Sequence, residues 1–335
     1  MQYSTFAAID IGSYDVILEI FEISKKQGIR SVDKICHRME LGKDTYTLGK
    51  IRPEMEEELC RVLADFVRIM EGYRVDAYRA MASSAISEAA NSLYVLGKIR
   101  QLTGLSVTVL SNSEQRFLGY KALAAMEDNF NKIIEKGTAI LDLDGGSFQI
   151  SLFDKDALVT TQNIRMGSLR IRERLAGIQS ETEHYEEMVE ELIWNEVSSF
   201  KKMYLKDRKI ENIMLIGDVF TDSVYQNIEE KTTKIISREN FNTWYEKIIR
   251  QSPMELAVKL GIPLENASLM YPSAVIYKCL IDMMGAEHIW IPGVHMTRGI
   301  AYEYAEQMKL LKGGHNFEND ILMAAKNIGK RYAVN

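Results

Sequence analysis

Cysteine, proline and histidine are scarce in this chain of 335 residues, which contains three cysteines, five prolines and five histidines. The cysteines, Cys36, Cys60 and Cys279, are odd in number and far apart in the sequence. They therefore indicate neither a disulfide framework nor a zinc site. Because free cysteine is usually buried, we expect three buried thiols. The dispersed histidines show no spacing typical of metal ligands.

Long apolar runs and a basic leader are also missing. No apolar run approaches the ~20 residues of a membrane-spanning helix, and the first residues, MQYSTFAAIDIG, enter an apolar strand directly. The net charge of −6 argues against a general nucleic-acid-binding protein. We therefore predict a cytoplasmic protein with no membrane or nucleic-acid partner, in which any anion site is made locally.

The chain is long enough for two domains, and its pattern contains an internal repeat. An apolar strand ending at Asp10, a break at residues 11–13 and a second strand predict a hairpin, and the same pattern returns at 138–153. Elsewhere amphipathic helices alternate with short apolar strands, as in α/β domains. We predict an α/β fold with two related halves, residues 1–126 and 127–310, followed by a helical tail at 311–335.

Both predicted hairpin turns combine glycine, serine and aspartate. A tight turn rich in glycine and serine lets backbone N–H groups converge on one anion. The simpler alternative is that Gly12 and residues 145–146 only supply turn conformations. The repetition favours anion binding, because Asp10 and Asp142 end the first strand in each copy, and carboxylates beside a phosphate site suit Mg²⁺.

Glu114 follows a predicted strand in the stretch VLSNSEQRFLG, at the start of a predicted helix. Hydrolysis of a phosphoanhydride needs a group that orients or deprotonates the attacking water. Ser111 and Glu114 also match a capping box, which explains them on pattern alone. The spacing by itself does not decide between these two roles.

Six stretches of the sequence resemble the motifs of the exopolyphosphatase/guanosine pentaphosphate phosphohydrolase (Ppx/GppA) family, in order and near the family's spacing. They are FAAIDIGS, MASSAISEAANS, VLSNSEQRFLGY, AILDLDGGSFQISLF, IRMGSLRIRERL and IWIPGVHMTRGIAYEY. This resemblance covers essentially the whole chain. It implies the actin-like ATPase fold, two ribonuclease-H-like domains with an interdomain cleft for polyphosphate or a guanosine penta- or tetraphosphate, and a requirement for Mg²⁺.

The resemblance also implies roles for particular residues. Glu114 matches the family's catalytic glutamate, and Asp142 matches the first residue of its Asp-x-Gly-Gly-Gly-Ser-x-Glu loop. The expected phosphate ligands are Gly12, Ser13, Gly145, Gly146, Ser147, Arg170 and Arg298. The expected metal ligands are Asp10, Asp142 and Asp144.

Several positions depart from the family pattern. The family has arginine at Ser87, glycine at Asp144, glutamate at Gln149 and glycine at Asp218. Losing the arginine removes a bidentate phosphate donor, and Asp144 adds negative charge where a phosphate should bind. Two outcomes stay open. Either Asp144 replaces the missing glutamate as a metal ligand, or the chain is a catalytically weak or inactive member that binds a nucleotide or polyphosphate or regulates a partner.

The end of the sequence predicts a longer protein. Residues 317–335 place Ile321, Leu322, Ala325 and Ile328 on one helical face, with nothing after them to cover it. The segment resembles the entry to the C-terminal HD-type domain of long family members. We expect the chain to be the front part of such a protein. The alternative is a short form whose tail packs on the second domain or across a homodimer interface.

Overall fold

The computed structural model describes residues 3–126, 130–155, 157–176, 185–205, 208–227 and 235–311, with isolated positions beyond 311. The described residues form two α/β units. Those up to 125, together with 295–311, make the first unit, and those from 126 to 294 make the second. Each unit is built on one mixed β-sheet with the helices of an α/β fold.

The first unit contains a five-stranded sheet with the order β3-β2-β1-β4-β5. Its strands are β1 (Ser4–Ile11), β2 (Asp15–Ser24), β3 (Gly28–Arg38), β4 (Ala77–Ala82) and β5 (Val107–Val109). Its helices are α1 (Leu41–Leu48), α2 (Pro53–Gly72), α3 (Ser84–Ser87), α4 (Ser92–Thr103) and α5 (Asn112–Met126). Helix α13, whose range is given below, also belongs to this unit.

The second unit contains a six-stranded sheet with the order β10-β11-β9-β6-β7-β8. Its strands are β6 (Thr138–Leu143), β7 (Phe148–Asp154), β8 (Ala157–Ile164), β9 (Asn212–Ile216), β10 (Ile235–Ser237) and β11 (His288–Trp290). Its helices are α6 (Phe130–Ile134), α7 (Ser168–Leu175), α8 (Tyr185–Phe200), α9 (Val219–Asn227), α10 (Arg238–Ile249), α11 (Pro253–Leu260) and α12 (Leu264–Met284). The next helix, α13 (Met296–Gln307), belongs to the first unit. A π-helical turn, Lys201–Leu205, continues α8.

The two sheets repeat one topology, which confirms the predicted internal repeat. In each sheet the first three strands form an antiparallel meander. The fourth strand, β4 or β9, pairs parallel with the first, and a further strand, β5 or β11, pairs parallel with the fourth. The second sheet adds β10 at its edge. Asp10 and Asp142 occupy equivalent positions, because each belongs to the second-to-last residue pair before its turn. Asp10 lies opposite Ile17, and Asp142 lies opposite Gln149.

Strand β1 is buried on both faces, as its apolar sequence FAAIDI predicts. Ala7 and Ile9 pack into one cluster with buried residues of α2 and α4. Phe6 and Ala8 point to the opposite face and pack with residues of α5 and α13. Alternate residues of a strand point to opposite faces, so one apolar run fills two cores and fixes the hairpin in the middle of the sheet.

Helix α13 (Met296–Gln307) packs on the first unit, whereas the sequence-based division places it in the second half, 127–310. The ring of Tyr304 stacks on Phe6 of β1 with centroids 4.2 Å apart. Arg79 of β4 donates to Glu303 at 2.8 Å. The division differs because these partners are more than 200 residues away in sequence, and local patterns carry no information about them.

Other elements also differ from the predicted ones. Residues 84–103 contain two helices, α3 and α4, and α12 begins at Leu264 and contains Pro272. Strand β3 was not predicted, because GIRSVDKICHR carries no apolar run. The prediction of three buried thiols is wrong for Cys36, which is exposed on this edge strand, although Cys60 is buried.

Two further predictions concern membrane-spanning helices and the C-terminal tail. Among the described helices, none is long and apolar enough to cross a membrane. The predicted helical tail, 311–335, falls almost entirely outside the described residues.

We predict that Gly299→Ala destabilises the protein by about 1–3 kcal/mol, because overpacking costs that much. A Cβ atom at Gly299 would lie 2.1 Å from the carbonyl oxygen of Leu118, so α13 and α5 could not approach as they do. The matched control is Gly97→Ala in α4, where a Cβ meets open space. Alanine there should be neutral or stabilising by up to about 1 kcal/mol. Urea unfolding measures both, and equal changes would contradict the prediction.

Candidate active site

The turn between β6 and β7 is closed by its own backbone and by one carboxylate. The Asp144 N–H donates to the carbonyl oxygen of Ser147 at 2.9 Å. The Gly145 N–H donates to Oδ1 of Asp144 at 2.6 Å. Gly145, Gly146 and Ser147 are buried, whereas Asp142 and Asp144 are half-buried. The Asp144 carboxylate therefore binds one of the amides that were predicted to bind phosphate.

Residues at the start of α7 hold this turn in place through hydrogen bonds to its carbonyl oxygens. The Ser168 N–H donates to the Asp144 carbonyl oxygen at 3.2 Å, and the Arg170 N–H donates to that of Gly145 at 2.9 Å. Nε of Arg170 donates to the Gly146 carbonyl oxygen at 2.8 Å. A Cβ at Gly167 would lie 2.2 Å from the Asp144 carbonyl oxygen, so only glycine permits this contact. Arg170, a predicted phosphate ligand, thus holds the turn in place.

A row of oxygen-bearing side chains runs across the strands beside the turn. Asp142 on β6 lies directly opposite Gln149 on β7, which lies directly opposite Asn163 on β8. Directly opposed residues of antiparallel strands project from the same face of a sheet. Oε1 of Gln149 and Oδ1 of Asn163 are buried and accept no hydrogen bond within the described part of the chain.

These oxygens fit the divalent cation that the family resemblance implies. Mg²⁺ takes oxygen ligands, including carboxylate and amide oxygens, and keeps several waters. Over the described ranges, no cluster of three or more His, Cys, Asp or Glu side chains could hold a metal ion. Beside Asp142, the row supplies two amide oxygens that could join waters around such a cation.

The equivalent row in the first unit is different. Asp10 lies opposite Ile17, and Ile17 lies opposite Cys36. Neither neighbour offers the hard oxygen ligand that Mg²⁺ prefers. The structure places Asp10 half-buried at the end of β1, as predicted, and its role as a metal ligand stays a prediction.

The first turn, between β1 and β2, is closed by a hydrogen bond between its own residues. The Gly12 N–H donates to the Asp15 carbonyl oxygen at 2.9 Å, and a Cβ at Gly12 would lie 3.0 Å from Oδ1 of Asp15. Ser13 is fully buried, and its Oγ lies 2.7 Å from the hydroxyl of Tyr46. That hydroxyl lies 2.8 Å from Oγ of Ser84. The Ser13 side chain therefore faces a buried hydroxyl cluster.

Glu114 forms the capping box that its spacing predicts at the start of α5. Its Oε2 accepts from the Ser111 N–H at 2.8 Å and from the Ser111 Oγ at 2.7 Å. The hydroxyl and N–H of Ser111 lower the pKa of the Glu114 carboxyl. Glu114 is exposed, and both of these bonds fall on one of its two oxygens. The capping role is thus observed, and an ionised carboxylate remains directed to solvent.

The structure does not bring Arg298 to the first turn. Its guanidinium donates to the Ile29 carbonyl oxygen at 3.4 Å. Ile29 pairs with Ile23, at the far end of β2 from Asp15. At ~3.3 Å per residue along a strand, Ile23 and Asp15 are roughly 25 Å apart. Arg298 therefore binds the opposite end of the β2–β3 hairpin from Gly12.

Asp218 is a buried carboxyl that the sequence indicated only as a departure from the family pattern. Its Oδ1 caps α9 by accepting from the N–H groups of Phe220 and Thr221, each at 3.1 Å. Burial raises the pKa of Asp218 to about 7. The preceding Gly217 has φ of 69°, and a Cβ there would lie 3.4 Å from Oδ1 of Asp142. Asp218 thus supports the backbone that faces Asp142.

Comparison with solved structures identifies the fold of the chain. An exopolyphosphatase from Cytophaga hutchinsonii matches with a TM-score of 0.80 and 17% identity, over 92% of this chain and 100% of that chain. A Ppx/GppA family member from Aquifex aeolicus matches with a TM-score of 0.72 and 18% identity, over 92% and 99%. The likeness confirms the predicted fold of two ribonuclease-H-like domains of the actin-like ATPase type.

The chain belongs to the Ppx/GppA phosphatase family, whose family model matches residues 19–308. The bifunctional 3-dehydroquinate synthase/phosphatase of Fusobacterium nucleatum is 21% identical over 310 residues, 84% of this chain and 44% of that protein. Exopolyphosphatase 1 of Mycobacterium leprae is 26% identical over 144 residues, 43% of this chain and 41% of that protein. The chain spans less than half the length of these relatives.

We predict that Asp218→Asn stabilises the protein more at high pH than at low pH. The carboxyl titrates near ~3.9 when unfolded and at about 7 when folded, so only the folded state holds its proton between these values. The stability that this group contributes is present below about pH 4 and is lost as pH rises to about 7. Asparagine keeps the cap oxygen and has no charge to bury.

Urea unfolding at about pH 5 and about pH 8 measures this effect. The stability advantage of the variant over the wild type should grow between the two conditions. Asp65→Asn, at an exposed position of α2, is the control and should show no such growth. A constant difference for Asp218→Asn would show that its carboxyl does not titrate in this range.

Proposed function

We propose that the chain hydrolyses the terminal phosphoanhydride of inorganic polyphosphate, or of a guanosine penta- or tetraphosphate, in a Mg²⁺-dependent site. The observation that carries this proposal is the buried, braced turn of residues 144–147 beside the row of Asp142, Gln149 and Asn163. Family membership and the name of the Mycobacterium leprae relative support the reaction class.

Backbone amides of the second turn are the proposed phosphate donors. Among the described residues, the N–H groups of Gly146 and Ser147 donate to no protein acceptor. Two adjacent amides in a tight turn can bind the oxygens of one phosphate. The bracing by Arg170 fixes the direction of these amides before any ligand arrives, which is the condition for electrostatic stabilisation of a reacting phosphate.

Glu114 is proposed to orient the attacking water. Its lowered pKa keeps the carboxylate ionised at neutral pH, so it can accept a hydrogen bond from water. The water oxygen forms the new bond to the terminal phosphorus, and the bridging oxygen leaves with the shortened chain. The water proton passes to the carboxylate and then to solvent. Positioning rather than strong basicity is the main requirement for phosphoryl transfer.

Asp142 is the proposed carboxylate ligand of Mg²⁺, with Asp10 and Asp144 as the remaining predicted ligands. When bound, Mg²⁺ would neutralise charge on the phosphate oxygens. The residues of this chain contribute the rest, because the turn holds the phosphate and Glu114 holds the water.

A binding or regulatory role is the second candidate function, and two observations favour it. The Asp144 carboxylate occupies the Gly145 amide, so a phosphate at that amide would have to displace an anion that the chain itself provides. Ser87, where the family has arginine, is exposed and offers only a hydroxyl. Both changes weaken the binding of a polyanion. They are therefore expected in a weak enzyme or in a sensor of polyphosphate or nucleotide.

We predict that wild-type protein releases phosphate with Mg²⁺, and that Glu114→Gln lowers this rate by about 10²-fold or more, the usual effect of losing such a group. Long-chain polyphosphate, guanosine pentaphosphate and ATP are the substrates to compare. Because glutamine can also complete a capping box, the melting temperature should hardly change.

Glu255→Gln is the matched control for this variant. Glu255 forms the same capping box with Ser252 at the start of α11, with the same donors at 2.8 Å. Its substitution should leave phosphate release unchanged. If Glu114→Gln keeps wild-type turnover, Glu114 is only a cap. If the wild type binds polyphosphate but releases no phosphate, the binding or regulatory role replaces hydrolysis.

A further inference from the structure

We propose that the cation ligands of this chain are Asp142, Gln149 and Asn163, so that two neutral amides complete a site with a single carboxylate. This inference deepens the proposed function, because it names the residues that hold its cation. It adds Asn163, which no motif singles out, and it leaves Asp10 and Asp144 out of the ligand set.

Strand register places the three side chains together. In both strand pairs the residues are direct partners, so their side chains are neighbours on one face of the sheet. Directly opposed Cβ atoms lie about 4.5–5.5 Å apart. Gln149 is therefore the direct neighbour of both Asp142 and Asn163, which lie on either side of it. The irregularity in the β7–β8 pairing lies further along, at Leu152 and Phe153, so it does not disturb this row.

Burial is the second and independent observation. Gln149 is only 2% exposed, yet its Oε1 accepts no hydrogen bond among the described residues, and the same is true of the buried Oδ1 of Asn163. A buried acceptor without a donor is unfavourable, because it has lost its hydrogen bonds to water. Two such oxygens lie side by side next to a carboxylate. A cation satisfies all three together.

Asp144 and Asp10 are poorer ligands for the same ion. Oδ1 of Asp144 already accepts from the Gly145 N–H, which makes this carboxylate the anion of the turn. Asp10 lies in a row with Ile17 and Cys36, which offer no oxygen. The second unit alone therefore carries the complete row.

Charge decides how strongly such a site binds. Cation affinity rises with the number of charged ligands, and this row has one. We therefore expect weak binding of the cation alone and a gain when Gln149 becomes glutamate. That gain is the most useful test, because a simple loss of folding cannot produce it.

The experiment is a titration of the full chain with Mn²⁺ alone, in which electron paramagnetic resonance measures the free ion. Asn163→Ala should weaken Mn²⁺ binding by about 10-fold or more, and Gln149→Glu should strengthen it by about 10-fold, in line with typical effects at metal sites. Gln162→Ala is the matched control. It alters an exposed side chain next to Asn163 on the opposite face of β8, and it should bind as the wild type does.

Unchanged Mn²⁺ affinity in both Asn163→Ala and Gln149→Glu would overturn the proposal and would assign the orphaned oxygens to a buried water. Loss of binding in Asp144→Asn with retention in Asn163→Ala would overturn it as well, as would a wild type without saturable binding. Phosphate release is measured separately. If the chain binds Mn²⁺ through Asn163 but does not hydrolyse polyphosphate, this inference stands and the proposed reaction is wrong.

Discussion

A shift of one residue between β6 and β7 would send Asp142 and Gln149 to opposite faces of the sheet, because side chains alternate along a strand. The register is therefore the constraint on which the site depends. It is set by a four-residue turn that is closed between Asp144 and Ser147. Buried apolar neighbours such as Leu141 and Ile150 hold the same register, since a slip would disrupt their packing.

The turn also depends on parts of the chain that follow it. Gly167 lets α7 approach the backbone of the turn, and Arg170 donates to two of its carbonyl oxygens. Asp144 completes this arrangement by accepting the Gly145 amide. Its extra carboxylate thus has a structural explanation. It stabilises the free turn, and it competes with the phosphate that the same amide would otherwise bind.

The hairpins and their repeat could be predicted because their signals are local, namely apolar runs broken by glycine and serine. The capping box of Glu114 was equally local. Asn163 could not be found in this way, since ALVTTQNI has no clear period and its partner is set by pairing across strands. The place of α13 and the fixed position of Arg298 depend on contacts over more than 200 residues. Local sequence patterns carry no information about contacts between residues so far apart in the sequence.

An anomalous difference map from crystals grown with Mn²⁺ tests the central claim most directly. That claim is that the second unit binds the cation through the row beside its turn. The account predicts a peak within about 2–2.5 Å of oxygens of Asp142, Gln149 and Asn163, the range of oxygen-to-cation distances at such sites. A peak on Asp10 or Asp144 without Asn163, or an ordered water in the row with no peak, would contradict it.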